Sequence, residues 1–289
     1  MGAWGEGLYD DDFAADLKNS IALIAKVPKS GEALLEILLS MHPELDAEDV
    51  DHSTFWLIVA DQFERRGIEC PKAAETALAL LDAGTNLTHL EVLGMDPRGL
   101  KKRGLLLDAL ASRLRSPRPT RPRTGAKKPP AYVVMRGEVY VYPAMNGSAV
   151  NAWMSSWQQA NFVPNGWGAL LVLEIGRAYD WLQWCAVAAL STDAHQPATM
   201  EDVLRSELML HPQTMGAARC VPKKSHLAMM QAHCIGTLDL DPVKVQPYLS
   251  KWSVDHAVGY EWSICSASFS VNIKSSLPRG PQVNALLSH

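Results

Sequence analysis

The sequence predicts an α+β protein, in which an all-helical N-terminal domain is followed by a mixed α/β domain built on a small, mainly antiparallel sheet. Three observations lead to this prediction. Apolar residues recur at helical spacing through residues 1–115. A basic, proline-rich linker at 116–130 has no periodicity, and residues 131–289 contain the short β-branched and aromatic runs that are typical of strands. The length of 289 residues suits two domains of about 100–200 residues each.

Helix start and stop signals divide the first domain. Ser30 and Asp96 are suitable N-caps, Pro71 suits a first helical turn, and Gly67 suits a left-handed stop. Residues 87–93 are predicted to form a short turn. The predicted helices cover residues 12–25, 30–41, 51 or 53 to 66, 71–84 and 98–115.

The second domain has strand-like patterns separated by turn residues. Thr199 is predicted to cap a helix that runs through Leu208. The uncharged stretch from Asn146 to Asn165 is predicted to be a long insertion between strands, and such insertions are often functional. Strands are predicted over 131–135 and 138–143 (two strands or one bent strand), over 169–175 with a turn at Gly176, within 179–190, over 234–240 and over 260–273.

The net charge of −4 conceals a strong partition along the chain. Residues 1–100 carry 19 acids and 7 bases, a net of −12. Residues 101–130 carry 10 bases and one acid, a net of +9, and residues 131–289 carry 10 bases and 11 acids, a net of −1. The linker is interpreted as a solvated, semi-rigid tether. The alternatives are a nucleic-acid contact, which the lack of interleaved aromatic residues disfavours, and an intramolecular strap against the acidic half, which is preferred of the two.

Cysteine usage and hydropathy indicate a cytoplasmic protein. The five cysteines form no Cys-x-x-Cys pair and mostly have apolar neighbours, which is typical of reduced thiols. The N-terminus has neither the basic nor the apolar region of a signal peptide. The most apolar region, 169–190, is interrupted by three charged residues, whereas a membrane span needs about 20 nearly uncharged ones.

A glycine-flanked tryptophan, Trp4, precedes an acidic cluster and forms the first candidate binding site. The acids are Asp10, Asp11, Asp12 and Asp16. They are suited either to binding a metal or basic partner, or to capping the first helix, whose dipole favours acids at its N-terminus. Acids adjacent on a helix point in different directions, so capping is the preferred interpretation and no metal site is predicted.

Tryptophans Trp153, Trp157 and Trp167, in or beside the insertion, form the second candidate site. Trp153 and Trp157 are four residues apart and would stack along one helical face. Indoles combine a large contact area with a polar group and are favoured at binding surfaces. The alternative, that they fill the core of a small β module, is at least as well supported.

No catalytic residue, metal ligand or cofactor is assigned from the sequence. The nine histidines are scattered, and the chain has no Gly-x-Ser-x-Gly, Walker A or Gly-x-Gly-x-x-Gly motif. An enzyme of unrecognised class remains an alternative. It would require a cleft in the second domain where groups such as Asp180, Cys185, Asp193 and His195 converge with shifted pKa values.

Two segments resemble known bacterial families. Met1-Gly2-Ala3-Trp4-Gly5-x-Gly7, followed by Tyr9 and the acids, resembles the opening of a widespread bacterial domain of unknown function, over about 115 residues. The segments 137–143 and 167–173 are similar to the Gly-Asp-Val-x-x-x-Pro and Gly-x-x-x-Val-Leu pattern of immunity proteins from polymorphic toxin systems, with Glu138 in place of the aspartate.

The resemblance implies a bacterial, cytosolic, non-catalytic binding protein, and its pattern carries no catalytic residues. The expected function is therefore that of an immunity protein that neutralises a cognate toxin. The expected partner is a protein, such as a basic toxin domain that meets the acidic half, because opposite charges accelerate association. The alternatives are the enzyme and a nucleic-acid-associated protein that uses the linker.

Overall fold

The computed structural model describes residues 5–43, 45, 50–120, 128–211, 215–249, 263–267 and 277–288. The chain divides into two compact units, residues 1–128 and 129–289. The first unit is helical, and the second is built on an antiparallel sheet with short helices. The predicted α+β fold class is therefore confirmed.

The helices of the first unit agree closely with those expected from the start and stop signals. Asp11 caps the first helix by accepting a hydrogen bond from the Ala14 amide at 2.6 Å, and Asp96 caps the last by accepting from Arg98 and Gly99. Gly67 ends the third helix with a left-handed φ of 64°. The helices are α1 (Asp12–Ile24), α2 (Gly31–Met41), α3 (Val50–Arg66), α4 (Pro71–Asp82), α5 (Thr85–Val92) and α6 (Pro97–Arg115).

Helix α5 corrects the prediction of a turn at residues 87–93. Its second residue, Asn86, is buried, and its side chain donates to Ser53 Oγ at 3.2 Å and accepts from Arg103 Nε at 3.1 Å. Threonine and asparagine have low helix propensity, but propensity is a weak effect that tertiary contacts override. The contacts of Asn86 with α3 and α6 are such contacts.

Helix α3 is the centre of the helical unit, because residues 53–64 are all buried. It packs against α1, α4, α5 and α6. A helix that is buried on every side is usually apolar on every side. This one carries Asp61, Gln62 and Glu64 into the interior, so each of these groups requires a hydrogen-bond partner.

The second unit contains a seven-stranded antiparallel sheet in the order β6-β1-β2-β3-β4-β7, with β5 also paired to β3. The strands are β1 (Glu138–Ala144), β2 (Gly166–Ala178), β3 (Leu182–Leu190), β4 (Glu207–Met209), β5 (Ala218–Cys220), β6 (His233–Thr237) and β7 (Arg279–Gln282). The helices are α7 (Met200–Arg205), α8 (Lys224–Met230) and α9 (Pro242–Val245).

Both faces of this sheet are covered. Tyr142, Leu170 and Val187 belong to the apolar cluster on one face, which includes Phe162 of the insertion and Met230 of α8. The neighbouring residues in each strand, such as Val141, Leu171 and Ala188, belong to the cluster on the other face. Because alternate side chains point to opposite faces and both faces are buried, β2 and β3 contain continuous apolar runs.

The predicted turn at Gly176 is wrong. Strand β2 continues through Gly176, which pairs with Trp184 of β3, and the chain reverses at Tyr179 and Asp180, whose φ angles are 53° and 61°. A Cβ added to Gly176 would lie 2.5 Å from the Trp184 ring. The glycine therefore allows the indole to lie against the strand, and it does not mark a turn.

Other boundaries of the second unit also differ from the predictions. The segment 131–135 is not a strand, because the backbone of Ala131 and Val133 bonds to the side chain of Gln183. The helix capped by Thr199 ends at Arg205, since β4 begins at Glu207. The predicted strand 234–240 is β6, His233–Thr237. The predicted strand 260–273 falls mostly outside the described residues, and within it Ile264–Ala267 form a 3₁₀ turn.

The substitution Gly176→Ala is expected to lower the free energy of unfolding by about 1–3 kcal/mol, because the new methyl group overpacks the Trp184 ring. Urea denaturation measures the effect. Gly104→Ala serves as a control of opposite sign, since its Cβ would meet only Leu87 at 3.9 Å within α6, and alanine in a helix is stabilising by roughly 0.5–1 kcal/mol. Equal, near-zero effects in both variants would contradict the packing described at Gly176.

Candidate binding surface

The insertion between β1 and β2 is closed at its base by a pair of asparagines. Asn165 donates from Nδ2 to Asn146 Oδ1 at 2.8 Å, and the Asn146 amide donates to Asn165 Oδ1 at 2.8 Å. The Asn165 amide also donates to the Ala144 carbonyl at 2.9 Å. These bonds hold the two ends together, as expected for an ordered insertion.

Trp157 anchors the insertion to the body of the second unit. Its indole Nε1 donates to the Met229 carbonyl at the end of α8 at 2.7 Å. Its ring also packs edge-to-face on Phe162, with centroids 5.1 Å apart, and Phe162 belongs to the core under the sheet. Trp157 therefore satisfies its polar group inside the protein and has a structural role.

Trp153 remains exposed on the same insertion, with 55% of its surface accessible. The edge of its ring packs against His226, with centroids 4.7 Å apart, and Lys223 Nζ lies 4.3 Å from the centroid of its ring. Its amide donates to Asn151 Oδ1 at 3.0 Å, which fixes the local turn. The indole is thus held in a defined position while much of its surface faces solvent.

A buried polar pair lies beneath Trp153. Ser263 Oγ and His226 Nδ1 are 2.7 Å apart, and both residues are almost completely buried. The hydrogen bond orients the imidazole ring on which Trp153 packs. This pair could not be predicted from the sequence, because its members are 37 residues apart and no local pattern connects them.

The insertion and the segment that contains α8, which meet at Trp153, carry no acid in their sequences. Residues 139–173, which include the whole insertion, contain no charged residue. Residues 208–238, which include α8, contain Arg219, Lys223 and Lys224 and no acid. Met154 and Val163 of the insertion are also exposed. The insertion therefore exposes apolar side chains, and Lys223 lies against the exposed Trp153 ring.

The other expectations for the tryptophans need correction. Residues 151–161 form successive turns, so Trp153 and Trp157 do not stack along one helical face. Trp167 is half-buried at the start of β2, where its amide donates to the Ala194 carbonyl at 2.8 Å. Among the described residues, the structure records no ring contact between Trp167 and the other two. Of these three tryptophans, Trp153 is the one that is largely exposed.

Of the four acids near the N-terminus, one caps the first helix. Asp10 accepts from the Gly7 amide at 2.8 Å, and Asp11 is the N-cap of α1. Partial burial raises the pKa of Asp11. Asp12 and Asp16 are exposed on α1. Trp4, the remaining member of this candidate site, lies outside the described residues.

Asp61 is the centre of a buried polar cluster in the first unit. Its side chain has no solvent exposure, and it pairs with Arg113 of α6 and with Arg65 Nε at 2.7 Å. Tyr9 donates its hydroxyl to the same carboxylate. Burial acts to raise the pKa of Asp61, but hydrogen bonds from Arg113, Tyr9 and Arg65 outweigh it, and the pKa is lowered.

The beginning of the linker extends this cluster. Arg118 Nε lies 3.2 Å from Glu64, which also pairs with Arg113 at 3.0 Å, and Arg115 pairs with Asp82. This part of the linker is therefore a strap on the acidic half, and residues 121–127 lie outside the described residues. Residues 1–100 carry −12 and residues 101–128 carry +9, which leaves −3 for the unit.

The groups considered for catalysis do not converge. Asp180 lies in the β2–β3 turn, whereas Asp193 and His195 follow the other end of β3. The nine residues of β3 separate these positions by roughly 25–30 Å. Cys185 has no solvent exposure, and burial raises its thiol pKa to about 12, which disfavours a nucleophilic thiolate.

In the part of the chain that the structure describes, no group of three or more His, Cys, Asp or Glu side chains is arranged to hold a metal ion. None of the helices there combines the length and apolar composition required to cross a membrane.

No family model, no curated protein and no solved structure matches the chain.

The substitution Asp61→Asn is expected to lower the free energy of unfolding at pH 7 by about 2–3 kcal/mol, because it removes the buried carboxylate that pairs with both Arg65 and Arg113. The lowered pKa means that the carboxylate stabilises the fold above its unfolded pKa of about 3.9. That contribution is lost as pH falls through the lower, folded-state pKa.

Urea denaturation from pH 7 to pH 3 measures this effect. The difference in the free energy of unfolding between wild type and Asp61→Asn is expected to stay constant from pH 7 to about pH 4 and to become smaller below pH 4. Asp82→Asn is the matched control, since the Asp82–Arg115 pair is exposed and such pairs contribute about 0–1 kcal/mol. A difference that already disappears between pH 7 and pH 5 would contradict the lowered pKa.

Proposed function

We propose that this chain is a non-catalytic bacterial binding protein, and that it acts as an immunity protein by occupying a surface of a cognate toxin. The observation that carries the proposal is the exposed, fixed indole of Trp153. The family resemblance of the segments 137–143 and 167–173 supports the immunity role. The separation of the titratable groups considered for catalysis supports binding over an enzymatic reaction.

The physical argument rests on preorganisation. Binding costs free energy when a flexible side chain must be ordered, and a residue that is already fixed avoids much of this cost. Trp153 is held by His226, Lys223 and the Asn151 turn before any partner arrives. Tryptophan is also among the residues that most often dominate the energy of an interface, especially when apolar neighbours surround it.

The charge of this surface favours an acidic region on the partner. Lys223 and Lys224 are adjacent positive charges at the start of α8, and such charges attract carboxylates and repel other bases. A basic toxin domain would instead require the acids of the first unit. Several of those acids are paired internally with α6 and the linker, which reduces the field available to steer such a partner.

The direct test is a pulldown of the full chain with the products of adjacent genes, followed by affinity measurement for any that bind. Trp153→Ala is expected to weaken binding by about 2 kcal/mol, or roughly thirtyfold in Kd. The substitution is expected to preserve the fold, as judged by circular dichroism, because the ring is largely exposed.

Val243→Ala is the matched control. Val243 is 79% exposed on α9, and its neighbour Val245 packs in the apolar cluster on the face of the sheet opposite the insertion. Truncating the Val243 side chain is therefore expected to change the Kd for the partner less than twofold. The proposal fails if no adjacent gene product binds or is toxic. The assignment of the surface fails if Trp153→Ala binds a partner as tightly as wild type does.

A further inference from the structure

A pocket of about 250 Å³ lies within the helical unit and is separate from the Trp153 surface. It forms where the end of α3, the start of α4 and the end of α6 meet the strap residues Pro117, Arg118 and Thr120. Most of the other lining side chains are small or apolar, and they include Ala60, Phe63, Ile68, Ala73, Ala74 and Leu114.

Small side chains explain why this space is open. Alanines from α3 and α4 face it where bulkier residues would fill it, and protein interiors contain few voids larger than a water molecule. Water gains little from an apolar wall, whereas an apolar guest gains contacts. An apolar cavity of roughly 150 Å³ holds a benzene ring, so this pocket suits a somewhat larger alkyl or aromatic group.

The rim of the pocket supplies a positive group. Arg118 is largely exposed and contacts Glu64 through Nε, and a guanidinium carries further N–H donors on its two terminal nitrogens. Glu64 is already paired with Arg113. The ion pairs join two acids, Asp61 and Glu64, to three arginines, Arg65, Arg113 and Arg118, and the exposed Glu69 on the rim balances the remaining positive charge.

We propose that this pocket binds a small hydrophobic monocarboxylate, with its alkyl or aromatic body between α3, α4 and α6 and its carboxylate on Arg118. The body replaces poorly bonded water, and the head forms a charge-assisted hydrogen bond with the guanidinium. An uncharged molecule of the same shape gains only the first of these contributions. The ligand would also tie the strap to the helical unit, because Pro117 and Thr120 form one wall of the pocket.

Calorimetric titration of the full chain with octanoate and with 1-octanol tests the proposal. We expect saturable binding of one octanoate per chain. Arg118→Gln is expected to weaken octanoate binding about tenfold and to change octanol binding less than twofold, since only the acid uses the guanidinium. Arg115→Gln is the matched control, because Arg115 pairs with Asp82 and does not line the pocket.

A second pair of variants tests the location. Ala74→Leu fills part of the pocket and is expected to weaken the binding of both octanoate and 1-octanol at least tenfold. Ala79→Leu, on an exposed position of the same helix, is expected to weaken neither. Thermal denaturation checks that each variant folds.

The proposal is overturned if octanoate does not bind saturably, or if Arg118→Gln affects acid and alcohol equally. It is also overturned if the two alanine variants behave alike.

Discussion

The buried carboxylate of Asp61 is the constraint around which the helical unit is organised. A charge without solvent costs several kcal/mol unless other groups replace the lost water. Here the replacement comes from Tyr9 before α1, from Arg65 on the same helix and from Arg113 on α6. The partners lie up to 52 residues from Asp61 along the chain, so the N-terminal segment, the central helix and the basic helix must assemble together.

This assembly explains the uneven distribution of charge along the chain. The acidic residues 1–100 and the basic residues 101–128 belong to one compact unit, and their ion pairs are partly buried. Three arginines of the basic segment, Arg113, Arg115 and Arg118, are engaged in these ion pairs. The exposed indole of Trp153 in the second unit is the candidate that we propose for partner binding.

Local sequence signals were sufficient to predict most helices of the first unit. N-caps, first-turn prolines and left-handed glycines act within a few residues, so they can be identified without knowledge of the fold. The prediction failed at α5 and at Gly176, where distant groups decide the conformation. Asn86 is helical because it bonds to Ser53 and Arg103, and Gly176 accommodates a tryptophan from the next strand.

The candidate surface was predictable only in part. The insertion and its tryptophans stand out by composition, but composition does not show which indole is exposed. Trp157 is bonded inside the protein to Met229, and Trp153 packs on His226, which lies 73 residues further along the chain. The polar partners of Asp61 could not be predicted either. They are residue types that usually lie on the surface, and no local pattern shows that the fold brings them together.

A double-mutant cycle between Asp61 and Arg113 tests most directly whether the basic segment is an integral part of the helical fold. Unfolding free energies are compared for Asp61→Asn, Arg113→Gln and the double variant. The structure leads us to expect a coupling energy of about 2–3 kcal/mol, with the double variant more stable than the sum of the single losses implies. Additive effects, with a coupling below about 0.5 kcal/mol, would contradict the account.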